Sequence, residues 1–199
     1  MLLRGIDLAT GSIISFVNIV CAYFMVNMGM NVVLAVLLSL IISTFIGFLN
    51  GIIIAELRMP ALIVTFASQT IFAGYAYIIC GGVPISRMPE SFLKLGQGYV
   101  GPIPVPVIVM VVIFAIGTFI LNKTYFGRYF YALGGNEDAA LLSVIKIKVV
   151  KCLVYSLSGL FAGIAGLVML ARANTAQPNA GVGYEFDVIT CVVLGGVSV

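Results

Sequence analysis

Few side chains in this 199-residue chain can do chemistry, and none form a catalytic set. There is no His, and Cys21, Cys80, Cys152 and Cys191 stand far apart, without the paired spacing of a metal or redox motif. No glycine-rich loop ends in Gly-Lys-Ser/Thr, so no motif for cradling a nucleotide phosphate is present. The sequence points to no catalytic residue, no metal site and no cofactor, and so to no enzyme. What remains is hydrogen-bonding capacity without charge. Asn18, Asn50, Thr65, Ser68, Gln69, Thr70, Tyr75 and Tyr77 sit in otherwise apolar stretches. Asn and Gln in such a setting either bond a polyhydroxylated solute passing by or tie one helix to the next. Asn18 and Asn50 are the candidates for a solute path, and on the residues alone both readings stand.

The elements that must position these residues follow from composition. Of the chain, 62% is hydrophobic and 9% charged, against roughly a quarter charged in an ordinary soluble domain. A soluble globule this apolar could not cover its surface with polar groups. That excludes a soluble enzyme, a nucleic-acid binder and a disordered chain, and leaves an integral membrane protein. Between Asp7 and Glu56 lie 48 uncharged residues, with 28 between Arg58 and Arg87, 28 between Lys94 and Lys123, and 20 between Lys151 and Arg172. A spanning helix needs about 20 apolar residues to cross roughly 30 Å of hydrocarbon. The longest stretch holds two spans, with Asn27-Met28-Gly29-Met30-Asn31 as the turn between them.

The expected architecture is all-α, a polytopic bundle with five complete spans over 8–26, 32–55, 60–80, 103–121 and 152–170. A partial sixth begins at Val188. From there to Val199 is 12 residues, about 18 Å as a helix and too short to cross. The expectation is a fragment of a longer protein. None of the complete spans holds the carboxylate, His or Lys that a proton- or sodium-coupled carrier keeps within the membrane.

Lys and Arg in the loops set orientation. With 122–151 placed in the cytoplasm, Arg4, Arg58, Lys123, Arg128, Lys146, Lys148 and Lys151 lie inside, and Arg87, Lys94 and Arg172 outside. The reverse arrangement puts the excess on the wrong side. The segments 81–102 and 171–187 then face outward. The net charge of +3 has a topological explanation and needs no nucleic acid. Packing is also legible. Ser39, Ser43, Gly47, Gly51 and Ala55 recur every fourth residue, and Gly159 and Gly163 repeat the device, giving helix faces that admit a neighbouring backbone.

The cytoplasmic loop carries the most information. Gly134-Gly135 is a chain-reversal signal, Asn136 a helix N-cap, and Glu137 and Asp138 suit a first helical turn. The short helix that follows places Ala140, Leu141, Val144 and Ile145 on one face. Such a face either docks a protein partner or lies on lipid, with Lys146, Lys148 and Lys151 favouring the second.

These residues resemble a known family, the permease subunit of bacterial ATP-binding-cassette sugar importers, which includes ribose, xylose, galactose and autoinducer-2 permeases. Gly5-Ile6-Asp7-Leu8 with Gly11-Ser12 matches its opening motif. Met59-Pro60-Ala61-Leu62-Ile63-Val64-Thr65 matches a second stretch, and Phe126-Gly127-Arg128 leading to Gly134-Gly135-Asn136 and Ala139-Ala140 the loop. Ala176-Gln177-Pro178, Gly183-Tyr184-Glu185 and Val193-Leu194-Gly195-Gly196 match a late block. The chain departs from the family at Val144, where Gly is usual, and Lys146-Ile147-Lys148 is more basic than usual.

The resemblance implies a single permease domain over 1–199, part of a roughly ten-span protein whose spans take about 20 residues each. The loop at 122–151 would hold a coupling helix. Gly134, Gly135, Asn136, Glu137, Ala139, Ala140 and Leu142 would face a separate ATP-binding-cassette ATPase subunit. Further implied partners are a second permease copy or paralogue, a periplasmic or lipid-anchored sugar-binding protein against 81–102 and 171–187, and membrane lipid. The implied location is the bacterial inner (plasma) membrane, multi-pass. The residue-level competitor is an ion-coupled carrier or facilitator. A third reading is a non-transporting membrane fragment.

Overall fold

The computed structural model describes residues 5–135 and 146–196. Five of its helices are long and apolar enough to cross a membrane: Ala9–Asn27, Val32–Glu56, Ala61–Cys80, Val105–Lys123 and Ile147–Ala173. The first comprises α1 (Ala9–Ala22) and a π-helical turn over Tyr23–Asn27. The others are α2 (Val32–Glu56), α3 (Ala61–Cys80), α5 (Val105–Lys123) and α7 (Ile147–Ala173). Shorter pieces lie between them: β1 (Ile85–Ser86), α4 (Glu90–Gln97), β2 (Tyr99–Val100), β3 (Ile103–Pro104) and α6 (Tyr125–Gly135). After α7 come β4 (Thr175–Ala176) and α8 (Tyr184–Leu194).

Local chemistry sets the boundaries. Asn31 caps α2, its Oδ1 accepting from Val33 N at 2.9 Å, which satisfies an otherwise orphaned donor. Gly29 before it takes φ +63°. Proline precedes α3, α4 and α5, where its fixed φ suits a helix start. The fifth span begins five residues before the expected Cys152. Lys148 and Lys151 fall in its first turns, where long basic side chains reach polar surroundings while their stems stay apolar.

α1 is the axis of the bundle. Its residues are buried on nearly every side, by α2, α3, α7 and the chain that follows β4. α3 and α7 run parallel to α1. Thr65 lies beside Leu8, Phe72 stacks on Phe16 with ring centroids 5.2 Å apart, and Gly166 lies beside Asn18. α2 runs the opposite way, as does α5, which buries none of its residues. The outer surface of the bundle is apolar, with Phe45, Phe66 and Phe114 exposed, as a lipid-facing wall requires.

α2 and α7 are the most closely joined pair. Every member of the small-residue stripe on α2 is buried. A Cβ on Gly47 would fall on the Tyr155 carbonyl oxygen, and one on Gly159 on the Ser43 carbonyl oxygen. Backbone meets backbone here because no side chain stands between them, the condition under which dispersion between helices is strongest in lipid. At one end of the pair, Lys148 Nζ meets Glu56 Oε2 at 2.6 Å. Both side chains are more than half exposed, so the pair marks the register more than it stabilises it.

Gly47→Leu is expected to force the two backbones apart and to cost roughly 3 kcal/mol or more, the upper end of overpacking penalties. Monodisperse yield and thermal unfolding in detergent would measure this. Unchanged yield and midpoint would count against the α2–α7 contact.

Candidate functional site

Chemical capacity concentrates where the chain re-enters the bundle after α7. Asn174 ends α7 in the left-handed region at φ +54°, and its Oδ1 accepts from Met88 N at 3.0 Å. β4 pairs antiparallel with β1, Ile85 opposite Ala176. Gln97 Nε2 donates to the Arg172 carbonyl at 3.2 Å. The segments 81–102 and 171–176, both expected on the outer side, thus form one cap at one end of the bundle.

Beyond Ala176 the chain turns inward, where the sequence reading had kept it outside as far as Asp187. Gln177 N donates to Asn18 Oδ1 at 3.2 Å, Gly181 N to Ser15 Oγ at 2.8 Å, and Glu185 reaches Gly11. From Asn18 to Gly11 is roughly 10 Å along α1 at 1.5 Å per residue. Non-helical backbone survives at such depth only when protein satisfies its polar groups, and Ser15 and Asn18 do so here. Closeness is possible because two glycines meet: a Cβ on Gly181 would fall on the Gly11 carbonyl oxygen.

This re-entry delivers a carboxylate into the interior. Glu185 is 2% exposed, and its Oε1 accepts from Gln69 Nε2 at 2.9 Å. Oε2 has no hydrogen-bond partner among the described residues and lies where a Cβ on Gly11 would fall. Sequence reasoning found no carboxylate in the five spans. Glu185 escaped it because it arrives from a segment broken by Pro178, Gly181 and Gly183, which carries no span signal. A second carboxylate, Asp7, precedes the first span. Its Oδ1 accepts from Ala9 N at 3.0 Å and its Oδ2 from Ser158 Oγ at 2.7 Å. Burial pushes the Asp7 carboxyl above the ordinary carboxylate range, opposed by these two hydrogen bonds.

The two candidate path residues part company. Asn18 is 1% exposed and engaged at both ends of its amide, Nδ2 donating to the Gly166 carbonyl at 3.4 Å and Oδ1 accepting from Gln177 N. It ties α1 to α7 and to the re-entrant chain. Asn50 lines a groove of about 310 Å3 between α2 and α3, together with Ile53, Val64, Ser68 and Phe72. The structure does not bring the two asparagines to one surface.

Gly134 and Gly135 are the last two residues of α6, so the helix runs through both where a chain reversal was expected. Phe130 and Leu133 of α6 pack on Val150 of α7. Asn136, Glu137, Ala139, Ala140 and Leu142 lie outside the described residues.

Glu185→Ala is expected to leave the Gln69 amide without its acceptor and to cost roughly 1–3 kcal/mol. Glu185→Gln, which keeps an acceptor there and removes the charge, should unfold close to the unsubstituted protein. Thermal unfolding of all three in detergent decides it, and an alanine variant as stable as the parent would refute the contact's contribution.

With this geometry in place, comparison with known proteins is informative. The family of permease components of branched-chain amino acid transport systems matches residues 1–199. The Bacillus subtilis ribose import permease protein RbsC is 43% identical over 200 residues, covering 100% of this chain and 62% of that protein. The Haemophilus influenzae RbsC is 39% identical over 202 residues, with 100% and 62% covered. The Escherichia coli K12 L-arabinose transport system permease protein AraH is 37% identical over 192 residues, with 96% and 58% covered. The chain thus spans about three-fifths of the length of these curated relatives. No solved structure matches it. By a match along its whole length, on a bundle of membrane-length helices, this chain belongs to the family of permease components of branched-chain amino acid transport systems, and it is a multi-pass membrane protein.

Proposed function

We propose that this chain is membrane-spanning permease sequence of an ATP-driven importer for a monosaccharide or related polyhydroxylated solute in the bacterial inner membrane. The observation that carries the reading is full coverage of the chain by ribose import permeases at 39–43% identity. The family's description names branched-chain amino acids, whereas the relatives named here are ribose and arabinose permeases, so a pentose is the first solute to test.

A separate ATPase subunit would dock at the bundle end that carries Glu56, Lys148 and α6. Gly134, Gly135, Asn136, Glu137, Ala139, Ala140 and Leu142 would form its contact, within the 122–151 loop. ATP-driven closure of paired ATPase subunits would move this loop and with it the start of α7, shifting the bundle between two openings. Because α2 and α7 meet backbone to backbone, the push would reach both helices together. A second permease copy or paralogue would complete the membrane unit. A periplasmic or lipid-anchored sugar-binding protein would meet the cap built from 81–102 and 171–176.

An ion-coupled carrier is the competing reading, and the buried Glu185 carboxylate is the observation that favours it. The two part on energy source. Vesicles containing the permease and its ATPase, with ATP enclosed in the lumen and the binding protein outside, should accumulate radiolabelled D-ribose or L-arabinose without an ion gradient. Uptake that needs no ATP and collapses with a protonophore would overturn the proposal.

The loop assignment has its own test. Ala140→Asp in the whole permease should abolish co-purification with the ATPase while leaving membrane insertion intact. Full recovery of the complex from that variant would remove the loop from the docking surface.

A further inference from the structure

The five-span bundle has no room for a solute along its axis, because α1 fills it. A path must therefore run over an outer face, and the grooves there differ in one respect. The groove between α2 and α7, about 430 Å3, contains Thr44 and Ser156, but each hydroxyl already donates at 2.7 Å, to Leu40 O and Cys152 O respectively. The groove beside Leu121 and Val154 contains Ser158, whose hydroxyl is committed to Asp7. A third, about 510 Å3 between α5 and α7, is apolar except for Arg172 and Tyr184 at one end. Lipid chains can cover the first two without leaving a polar group short of a partner, and in the third Arg172 and Tyr184 are both exposed side chains at the end of the groove, long enough to reach polar surroundings.

The groove between α2 and α3 is different. Asn50 from α2 and Ser68 from α3 both line it, each 5% exposed. The Ser68 hydroxyl is without a hydrogen-bond partner among the described residues, and no side-chain hydrogen bond engages the Asn50 amide among them. An amide and a hydroxyl buried among apolar groups without partners forfeit several kcal/mol. Their surroundings, Leu49, Ile53, Ile63 and Phe72, supply no donor or acceptor side chain.

We propose that Asn50 and Ser68 form a hydroxyl-binding wall of the solute path, on the α2–α3 face, for a polyhydroxylated solute. The Asn50 amide both donates and accepts, and the Ser68 hydroxyl does the same, which matches a ring bearing several hydroxyls. The apolar residues around them give the weak, slippery contact that release requires. The Ser68 oxygen is covered in this structure, so contact with it comes when the groove widens during turnover. The inference rests on the importer reading above, and its test separates the two.

Asn50→Cys and Ser68→Cys are placed in the whole permease, assembled with its ATPase and binding protein, and treated with a membrane-impermeant charged methanethiosulfonate during ATP-driven uptake. Rates are read against the unsubstituted chain, whose four cysteines are all free, and against Phe114→Cys on the exposed wall of α5. A thiol in water ionises and reacts, and one in lipid does not, so both positions should label roughly tenfold faster than Phe114→Cys. Labelling at the Phe114→Cys rate at both positions overturns the assignment, whether lipid or another helix covers the groove. In parallel, Asn50→Leu should lower kcat/KM for D-ribose uptake about tenfold, and Asn50→Gln should recover part of it, as loss and partial rescue of a hydrogen bond predict. Unchanged kcat/KM in Asn50→Leu also overturns the wall. If the unsubstituted complex takes up neither D-ribose nor L-arabinose, the importer reading for pentoses fails, while the labelling result still decides whether this face is wet.

Discussion

A helix enclosed on nearly every side must find its buried polar partners in protein, and α1 is such a helix. Water does not reach Ser12, Ser15 or Asn18, so each hydrogen bond they make has to be built from a neighbour. Ser12 turns back to the Ala9 carbonyl, Ser15 accepts from Gly181, and Asn18 spans Gly166 and Gln177. The same demand shapes the approach to α1. Leu8 N is satisfied by Thr65 Oγ1 at 3.1 Å, and Asp7 by Ser158 and Ala9. Once α1 is enclosed, the positions of α3, α7 and the re-entrant chain follow from which of their groups can reach it.

Glycine decides where enclosure is close. At Gly11 and Gly181 the absent side chains let non-helical backbone lie against a helix, and at Gly47 and Gly159 they let two helices meet. The first contact carries a cost that the second does not, since it brings Glu185 into the interior with one oxygen unpartnered. A buried, half-satisfied carboxylate costs on the order of 1–3 kcal/mol or more. The interior of this bundle is therefore not uniformly relaxed. The α2–α7 contact is apolar and tight, whereas the α1–re-entrant contact holds an electrostatic debt and is the place where the packing has most to gain by rearranging.

Much of this was legible in the sequence. The charge gaps located all five spans, four of them to within two residues, because burying a charge in hydrocarbon is the costliest error a membrane chain can make. The every-fourth-residue stripe located the buried face of α2, since helix geometry fixes which residues share a face. The re-entrant segment was not legible. Gln177, Pro178 and Gly181 have the composition of a surface loop, and only the pairing of Gly181 with Gly11, about 170 positions away, puts them inside. Glu185 went unassigned for the same reason. Its neighbours matched a family block, but no local pattern says that a carboxylate after Gly-Tyr lies in a membrane interior.

Asn18 and Asn50 look alike in sequence, each an amide within an apolar run, and the structure separates them by what they have left to give. The Asn18 amide spends both its ends on the backbone of other segments, Gly166 and Gln177, and so ties α1 to α7 and to the re-entrant chain. Asn50 lies within 5% of full burial yet makes no such bond among the described residues. Burial alone does not distinguish an inner tie from a path wall, and neither does residue type. The distinguishing quantity is unused hydrogen-bonding capacity beside a space large enough to be filled. Applied across the outer faces of this bundle, that criterion passes over the larger grooves and selects the one between α2 and α3. A polar group left unpaired there, in a chain that satisfies Ser15, Asn18 and Thr65, is the observation on which the proposed solute path rests.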